Sequence, residues 1–174
     1  MPLSSRPILV IASKDTPRGD KAKTRRSKDG TWAKKGTKFY FGYKLHSAMD
    51  TEFGLIRRIE VTTASVHDSQ VDLAKKGEVR YADRRYFGSK TTGYDAAMKK
   101  AARGHTLSYK DQMRNKRISR IRSPIERSYA FLKRVCKVGH VAVTTVPRVR
   151  VKMIIAAMVF NLYHLHSARS GISA

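Results

Sequence analysis

The chain has 174 residues, of which 41% are apolar, and a formal net charge of +24 from 37 Lys and Arg against 13 Asp and Glu. This length favours one domain, and the apolar fraction is sufficient for a core, which excludes a wholly disordered basic tail. So large a positive charge strains a compact fold unless an anionic partner neutralises it, so nucleic acid is the first partner to consider. The single cysteine, Cys136, excludes an intrachain disulfide and favours a reducing compartment. The longest apolar stretch, Met153–Phe160, is too short to cross a bilayer.

Basic and acidic residues are distributed unequally along the chain. From Gln112 to Ala174 there are thirteen Lys and Arg and one carboxylate, Glu126. A lone acid among so many cations is either a local charge neutraliser or a group whose function needs negative charge. A second basic tract, residues 17–38, has nine Lys and Arg and no apolar period. This composition predicts a loop or arm, either a solvated linker or a segment that contacts phosphates.

Strands and a helix are predicted after this tract. Phe39–Met49 and Leu55–Thr62 have strand composition and flank a turn, which predicts an antiparallel hairpin. The spacing of Ser65 and Asp68 fits a capping box, so a helix is predicted from there to Gly77. Residues 78–83 then form a short predicted strand.

The rest of the chain is predicted to be mainly helical. Residues 94–103 fit a helix, and residues 105–120, which lack a clear period, fit a loop or a short helix. Ser123 and Pro124 predict a helix start, because Ser is a favourable N-cap and Pro is favoured at the first helical position. A strand or irregular connection over residues 139–147 precedes a final apolar helix, Arg150–Leu165. This order of elements predicts one basic α/β domain.

Two carboxylates are candidates for a chemical role. Asp83 ends a predicted strand, where catalytic groups are often found, although a carboxylate that begins a turn explains it equally well. Glu126 lies three residues after Ser123 and fits a capping box, which needs no catalysis. Lys133, two helical turns further on, projects from the same face as Glu126. An acid and a base so placed would suit a metal and a phosphate in phosphoryl transfer on nucleic acid, which needs two or three carboxylates.

Four sequence blocks resemble the successive motifs of the DDE-type transposases of bacterial and archaeal insertion sequences. The blocks are GYKLHSAMD (Gly42–Asp50), LIRRIEVTTASVHDSQ (Leu55–Gln70), YADRRYFGS (Tyr81–Ser89) and IERSYAFLKR (Ile125–Arg134). The similarity extends from about Thr31 to Leu165. The resemblance implies an α/β, RNase H-like fold, a mixed sheet flanked by helices. It also implies an Asp-Asp-Glu triad that binds Mg²⁺ or Mn²⁺ and cuts and joins DNA at transposon ends.

The same blocks place two members of the triad. Asp83 matches the second Asp and Glu126 matches the Glu, so the resemblance implies that both are catalytic and bind the metal. The related signature Tyr-x2-Arg-x3-Glu-x6-Lys is met by Arg122, Glu126 and Lys133, with Ser119 in place of the Tyr. The residues expected to contact DNA are Arg122, Lys133, Arg127, Lys34 and Lys35.

The first Asp of the triad has no matching block. In the family it lies on the first strand, and the run Ile8–Ala12 contains no Asp, so Asp15 is the candidate third carboxylate. The first strand is therefore predicted to be incomplete or missing, and the chain to be a C-terminal portion of a transposase from a truncated or frame-shifted element. The expected organisation is a basic N-terminal arm over residues 1–30, the catalytic domain over 31–168 and a short tail over 169–174.

The sequence leaves two functions open. One is metal-dependent cleavage and strand transfer of transposon ends, with double-stranded DNA as partner, no membrane, a cytoplasmic location at the nucleoid and room for a homo-oligomer in the DNA complex. The other is a catalytically inactive remnant that binds DNA, and the completeness of the triad separates the two. A ribosomal-type RNA-binding protein would explain the charge but not Asp83 and Glu126 in their blocks.

Overall fold

The computed structural model describes residues 2–12, 29–86, 88–142 and 145–170. Within these ranges the chain forms seven strands and two long helices, together with two short 3-10 turns, Asp68–Gln70 and Arg84–Tyr86. In chain order the elements are β1 (Pro2–Ala12), β2 (Thr31–Lys35), β3 (Lys38–Asp50), β4 (Ile56–Thr63), β5 (Val79–Tyr81), β6 (Tyr94–Asp95), α1 (Tyr109–Arg134), β7 (His140–Val141) and α2 (Val146–Arg169).

The strands form one mixed sheet with β1 at its centre. The strand order is β2-β3-β1-β5-β6, while β4 pairs with β3 and β7 pairs with β1. β1 is antiparallel to β3, from Leu3 opposite Asp50 to Ile11 opposite Gly42, and parallel to β5 and β7. This arrangement confirms the predicted α/β class with a mixed sheet and helices.

The first strand is present, which corrects the prediction that it is incomplete or missing. β1 spans 11 residues, and the apolar run that ends at Ala12 is only its second half. Residues 2–12 therefore belong to the sheet rather than to a basic arm over residues 1–30, because their backbone pairs with strands on both sides. Asp15 lies outside the described residues.

Three predicted elements differ from the structure. In the predicted helix of residues 65–77 only the turn Asp68–Gln70 is helical. Residues 94–103 begin with β6 and continue as an extended segment, in which the amides of Ala96 and Met98 donate to carbonyl groups beside β5. The basic tract of residues 17–38 ends in the hairpin of β2 and β3 rather than in a loop.

Helix α1 is much longer than predicted. It begins at Tyr109, where the Ser108 side chain accepts a hydrogen bond from the amide of Asp111. Residues 109–120 are therefore helical, and Ser123 and Pro124 lie inside the helix rather than at its start. Glu126 consequently has no role as a capping-box partner. The β3–β4 hairpin, the strand that precedes Asp83 and the final apolar helix are confirmed.

The main core lies between the sheet and the two helices. The strands contribute alternate residues, because successive side chains of a strand lie on opposite faces of the sheet, and the helices contribute residues at intervals of three and four. Its most enclosed members include Val10, Tyr43 and Leu45 from the sheet, Ile125 and Leu132 from α1, and Val149 and Met153 from α2, all at most 1% exposed.

Helix α2 is apolar on both of its faces. One face packs into the core, and the opposite face exposes more than half of the surface of each of five large side chains, Val151, Ile155, Met158, Leu162 and Leu165. The side-chain amide of Asn161 donates to the carbonyl oxygen of Ile56 and accepts from its amide, both at 2.9 Å. In the ranges that the structure covers, no helix is both long enough and apolar enough to cross a membrane.

Gly42 provides a test of the close packing between β1 and β3. Its φ is 150°, and a Cβ at this position would collide with the carbonyl oxygen of Val10. Gly42→Ala is expected to lower the free energy of unfolding by about 2–4 kcal/mol, because the backbone strain and the collision act together. The matched control is Gly139→Ala, whose Cβ would find its nearest neighbour at 4.0 Å. Urea unfolding measures both variants, and equal losses would contradict the prediction.

Candidate active site

Asp83 and Glu126 line the same cavity, which has a volume of about 410 Å³. Its walls come from four parts of the chain: the middle of β1, the end of β2, the turn after β5 and the C-terminal half of α1. The lining residues are Pro7, Ile8, Leu9, Lys35, Asp83, Tyr86, Glu126, Tyr129, Ala130 and Lys133. The fold thus brings together the two carboxylates that the sequence blocks singled out.

Asp83 is held in place by the turn that it begins. Its Oδ1 accepts a hydrogen bond from the amide of Arg84 at 2.7 Å, and its carbonyl oxygen accepts one from the amide of Tyr86 at 2.9 Å. The turn-starting role considered from the sequence is therefore present. It also fixes the half-buried carboxylate at the cavity, so the structural and chemical roles are compatible.

The other carboxylate lies on a face of α1 that is fixed against the sheet. Glu126, Tyr129, Ala130 and Lys133 follow the three- and four-residue spacing of one helix face, and all four line the cavity. The hydroxyl of Tyr129 lies 2.6 Å from Oγ of Ser47 on β3, and both side chains are buried. Tyr129 is not among the site residues predicted from the sequence; its spacing of three residues from Glu126 is the signal that places it on the same helix face.

Two of the five cations expected to contact DNA line the cavity. Lys35 reaches it from the end of β2, and Lys133 reaches it from α1. Lysine carries a compact charge on a flexible stem, which suits contact with phosphate oxygens. The cavity therefore combines negative groups with positive groups that would attract a nucleic-acid backbone.

The other three cations lie elsewhere. Lys34 places its Nζ 5.6 Å from the ring centroid of Phe39. Arg127 is exposed on α1, outside the cavity lining. Arg122 is only 7% exposed, and its Nη1 lies 3.8 Å from the sulfur of Met98. The structure thus places Arg122 in the interior and does not bring Lys34 and Arg127 to the cavity.

Strand β1, which pairs with β5, carries no carboxylate. Its last pair with β5 is Ser4 with Tyr81, and Arg6 and Asp83 each follow two residues later in their own segments. The sequence of β1, PLSSRPILVIA, contains neither Asp nor Glu. Within the described ranges, no group of three His, Cys, Asp or Glu side chains is placed to hold a metal ion.

The two carboxylates of the cavity are the donor type that a hard divalent cation prefers. Mg²⁺ is commonly held by one or two carboxylates, with water and substrate phosphates completing its octahedral shell. Asp83 and Glu126 supply oxygen donors of this kind, and Lys35 and Lys133 would meet the phosphates that accompany the cation.

The segment after β4 covers the opposite face of the sheet. There Nζ of Lys44 lies 2.9 Å from Oδ1 of the buried Asp68, and neither residue lines the cavity. Tyr86 lies next to both regions, with the guanidinium of Arg80 5.5 Å from its ring centroid. Burial is the main cause that raises the pKa of Tyr86 well above its ordinary value, so its hydroxyl stays protonated.

Comparisons with known proteins identify the family of this chain. A mixed-sheet α/β domain whose strand-end Asp and helix Glu meet at one cavity is the arrangement expected of a DDE transposase domain. The family described as "Transposase DDE domain" matches residues 4–162, so the chain belongs to this family.

A curated relative supports the same assignment. The transposase for insertion sequence element IS1106 of Neisseria meningitidis serogroup B is 28% identical over 149 residues. The match covers 79% of this chain and 51% of the relative, so the chain spans about half of the relative's length. No solved structure gives a significant match.

His46, on the face opposite the cavity, predicts a pH dependence of stability. It is 2% exposed, and its Nε2 lies 3.0 Å from Oγ1 of Thr62. Burial, assisted by Lys44 and opposed by Asp68, lowers the pKa of His46 from 6.5 to about 4. The unfolded chain thus binds this proton below pH 6.5 and the folded chain only near pH 4, so stability is lost as the pH falls through this range.

The corresponding experiment is urea unfolding at pH 7.5 and pH 5. His46 is expected to account for a loss of about 2 kcal/mol in the free energy of unfolding between these values. His46→Gln should remove this part of the pH dependence, whereas the matched variant at the exposed His140 should retain it. Unchanged pH dependence in His46→Gln would show that the buried imidazole is not responsible.

Proposed function

We propose that this chain acts in DNA transposition as a DDE-type transposase, with metal-dependent cleavage and strand transfer of transposon ends as its chemistry. The observation that carries the proposal is the shared cavity of Asp83 and Glu126, two residues from separate family blocks. Membership of the transposase family and the name of the IS1106 relative support it.

Asp83 and Glu126 are the residues that would hold Mg²⁺ or Mn²⁺. When bound, the cation would neutralise charge that develops on the reacting phosphate group. The hydrogen bond from the Arg84 amide and the Tyr129–Ser47 contact keep the strand end and the helix in position, so the carboxylates need little rearrangement.

Lys35 and Lys133 would bind and orient the DNA backbone. Carboxylates alone repel phosphates, and two ammonium groups in the same cavity offset this repulsion. Their positions on β2 and α1 place them on different walls, which suits contact with successive phosphates of one strand.

A second function, DNA binding without catalysis, is favoured by the sequence of β1. Arg6 follows the last pair of β1 with β5 by two residues, as Asp83 does, and no residue of β1 is acidic. Two carboxylates supply fewer fixed ligands to a cation than three would. The cation is then held less firmly, and it stabilises the transition state less. The positive charge of the chain would support DNA binding under both functions.

The catalytic proposal predicts that Asp83→Asn and Glu126→Gln each reduce cleavage by about 100-fold or more. Cleavage is measured with Mg²⁺ or Mn²⁺ on duplexes that carry the ends of the element. Glu60→Gln is the matched control, because Glu60 pairs with Arg150 at 3.1 Å outside the cavity. Wild-type protein that binds the duplex but does not cut it would favour the second function. Cutting that survives both carboxylate substitutions would exclude this cavity as the active site.

Substitution of Arg6 tests whether the catalytic set is incomplete. Arg6→Asp is expected to raise cleavage by about tenfold or more, because it adds a carboxylate to β1, which pairs with β5 just before Asp83. Arg6→Asn is the control that removes the positive charge without adding a negative one, and it should not produce this gain. Loss of cleavage in Asp15→Ala would instead identify Asp15 as the third carboxylate, and Arg6→Asp would then bring no gain.

A further inference from the structure

A second concave surface lies along the N-terminal half of α1. It has a volume of about 1080 Å³ and lies between residues 108–121 and the residues Tyr81, Ala96 and Lys99 on the sheet side. We call it the α1 groove. Tyr81, the last residue of β5, lines this groove, and Asp83, two residues later, lines the catalytic cavity. A strand held in the groove would therefore lie beside the candidate active site.

The walls of the α1 groove are held together by side-chain hydrogen bonds to the backbone. The buried amide of Asn115 donates to the carbonyl oxygen of Lys99 and accepts from its amide, both at 2.9 Å. Nη1 of Arg114 donates to the carbonyl oxygen of Ala97, also at 2.9 Å. These bonds join α1 to the extended segment after β6, so the groove is already formed without a ligand.

The groove combines an apolar floor with an exposed aromatic ring. Met113, Ile118 and Ile121 line it along α1, and Tyr109 at the helix start is 78% exposed. An apolar floor provides no hydrogen-bond donors for a hydrated phosphate. It suits the flat faces of aromatic ligands, which bury apolar surface when they stack.

The rim of the groove is strongly positive. Lys99, Lys110, Arg114 and Arg117 line it against one carboxylate, Asp111. Nζ of Lys99 lies 2.7 Å from Oδ1 of Asp111, and this contact is the main cause that lowers the pKa of the carboxyl group. The remaining positive charge is complementary to a phosphate backbone.

We propose that the α1 groove binds unpaired nucleotides of a DNA strand, with a base stacked on Tyr109 and the backbone contacted by Arg117. Duplex DNA presents phosphates but hides its base faces, so it would leave the apolar floor uncovered. An unpaired strand uses both features, as in other single-strand binding grooves. The groove extends along α1 over residues 108–121, which favours several nucleotides over one small molecule. The choice of DNA rather than RNA rests on the proposed function.

The test measures binding of the full chain to a fluorescently labelled oligo-dT of about 12 nucleotides and to a duplex of equal length. Tyr109→Ala is expected to weaken oligo-dT binding about tenfold and to leave duplex binding within about twofold, because one base loses its stacking partner. Tyr109→Phe should bind like the wild type. The matched control is Tyr94→Ala, since Tyr94 is 69% exposed but lies outside the groove.

A second pair of variants tests the backbone contact. Arg117→Ala is expected to weaken oligo-dT binding several-fold, whereas Arg120→Ala, an exposed position on the same helix outside the groove, should bind as the wild type does. Circular dichroism checks that each variant folds; Tyr109 is mostly exposed, so its truncation removes little packing.

All titrations contain EDTA, so their outcome does not depend on metal-dependent cleavage. Equal effects of Tyr109→Ala and Tyr94→Ala, or equal losses for oligo-dT and duplex in Tyr109→Ala, would overturn the assignment of unpaired nucleotides. Tighter binding of oligo-rU than of oligo-dT would overturn the choice of DNA. Either result would leave the roles proposed for Asp83 and Glu126 to be decided by the cleavage assay.

Discussion

The pairing of β1 on both of its edges determines where the two carboxylates of the cavity lie. On one edge β3 runs antiparallel and carries Ser47, whose hydroxyl holds Tyr129 of α1. On the other edge β5 runs parallel and ends just before Asp83. The middle of β1 itself forms a wall of the cavity. Removal of this strand would separate the helix that carries Glu126 from the strand end that carries Asp83.

Part of the positive charge of the chain is carried by α1. This helix has nine Lys and Arg and two acidic residues in 26 positions. Its two acids face different concave surfaces, Asp111 the α1 groove and Glu126 the cavity that it shares with Asp83. The groove ends at Ile121 and the cavity begins at Glu126, so the two surfaces follow one another along the helix. One helix thus contributes cations to two neighbouring concave surfaces rather than to one uniform basic face.

The sequence blocks single out two carboxylates that the fold places at one cavity, whereas the helices around that cavity are predicted less well. The β3–β4 hairpin follows from the strand composition on either side of a turn that ends in Gly54, and Asp83 and Glu126 follow from their blocks. The start of α1 is mispredicted because Ser123 and Pro124 form a strong local signal for a helix N-terminus. Tertiary packing outweighs that signal. A proline inside a helix costs about 3 kcal/mol, and buried residues on both sides of it, including Ile118 and Ile125, offset this cost.

The first strand is not fully predicted because of its composition. Its first half contains two serines and an arginine, which are not typical of a buried strand. Ser4 is nevertheless fully buried and pairs with β3 and β5. What makes β1 a central strand is its pairing with β3 and β5, and these strands lie far away in the sequence. The segments after β4 and β6 show the same limit, because backbone hydrogen bonds to β5 hold residues 96–98 extended where local spacing favours a helix.

The two apolar faces of α2 leave the rotation of this helix about its own axis poorly defined by hydrophobic burial. An ordinary amphipathic helix is oriented because only one stripe gains by leaving water. In α2 a half-turn would exchange one apolar stripe, which contains Met153, for another, which contains Met158, at a smaller loss of burial energy. Polar contacts distinguish the two orientations, since only the observed rotation lets the Asn161 amide satisfy both backbone groups of Ile56. The same rotation brings Lys152 to the carbonyl oxygen of His140 and His164 to that of Phe53. Directed hydrogen bonds therefore set the rotational register of the helix that closes the core.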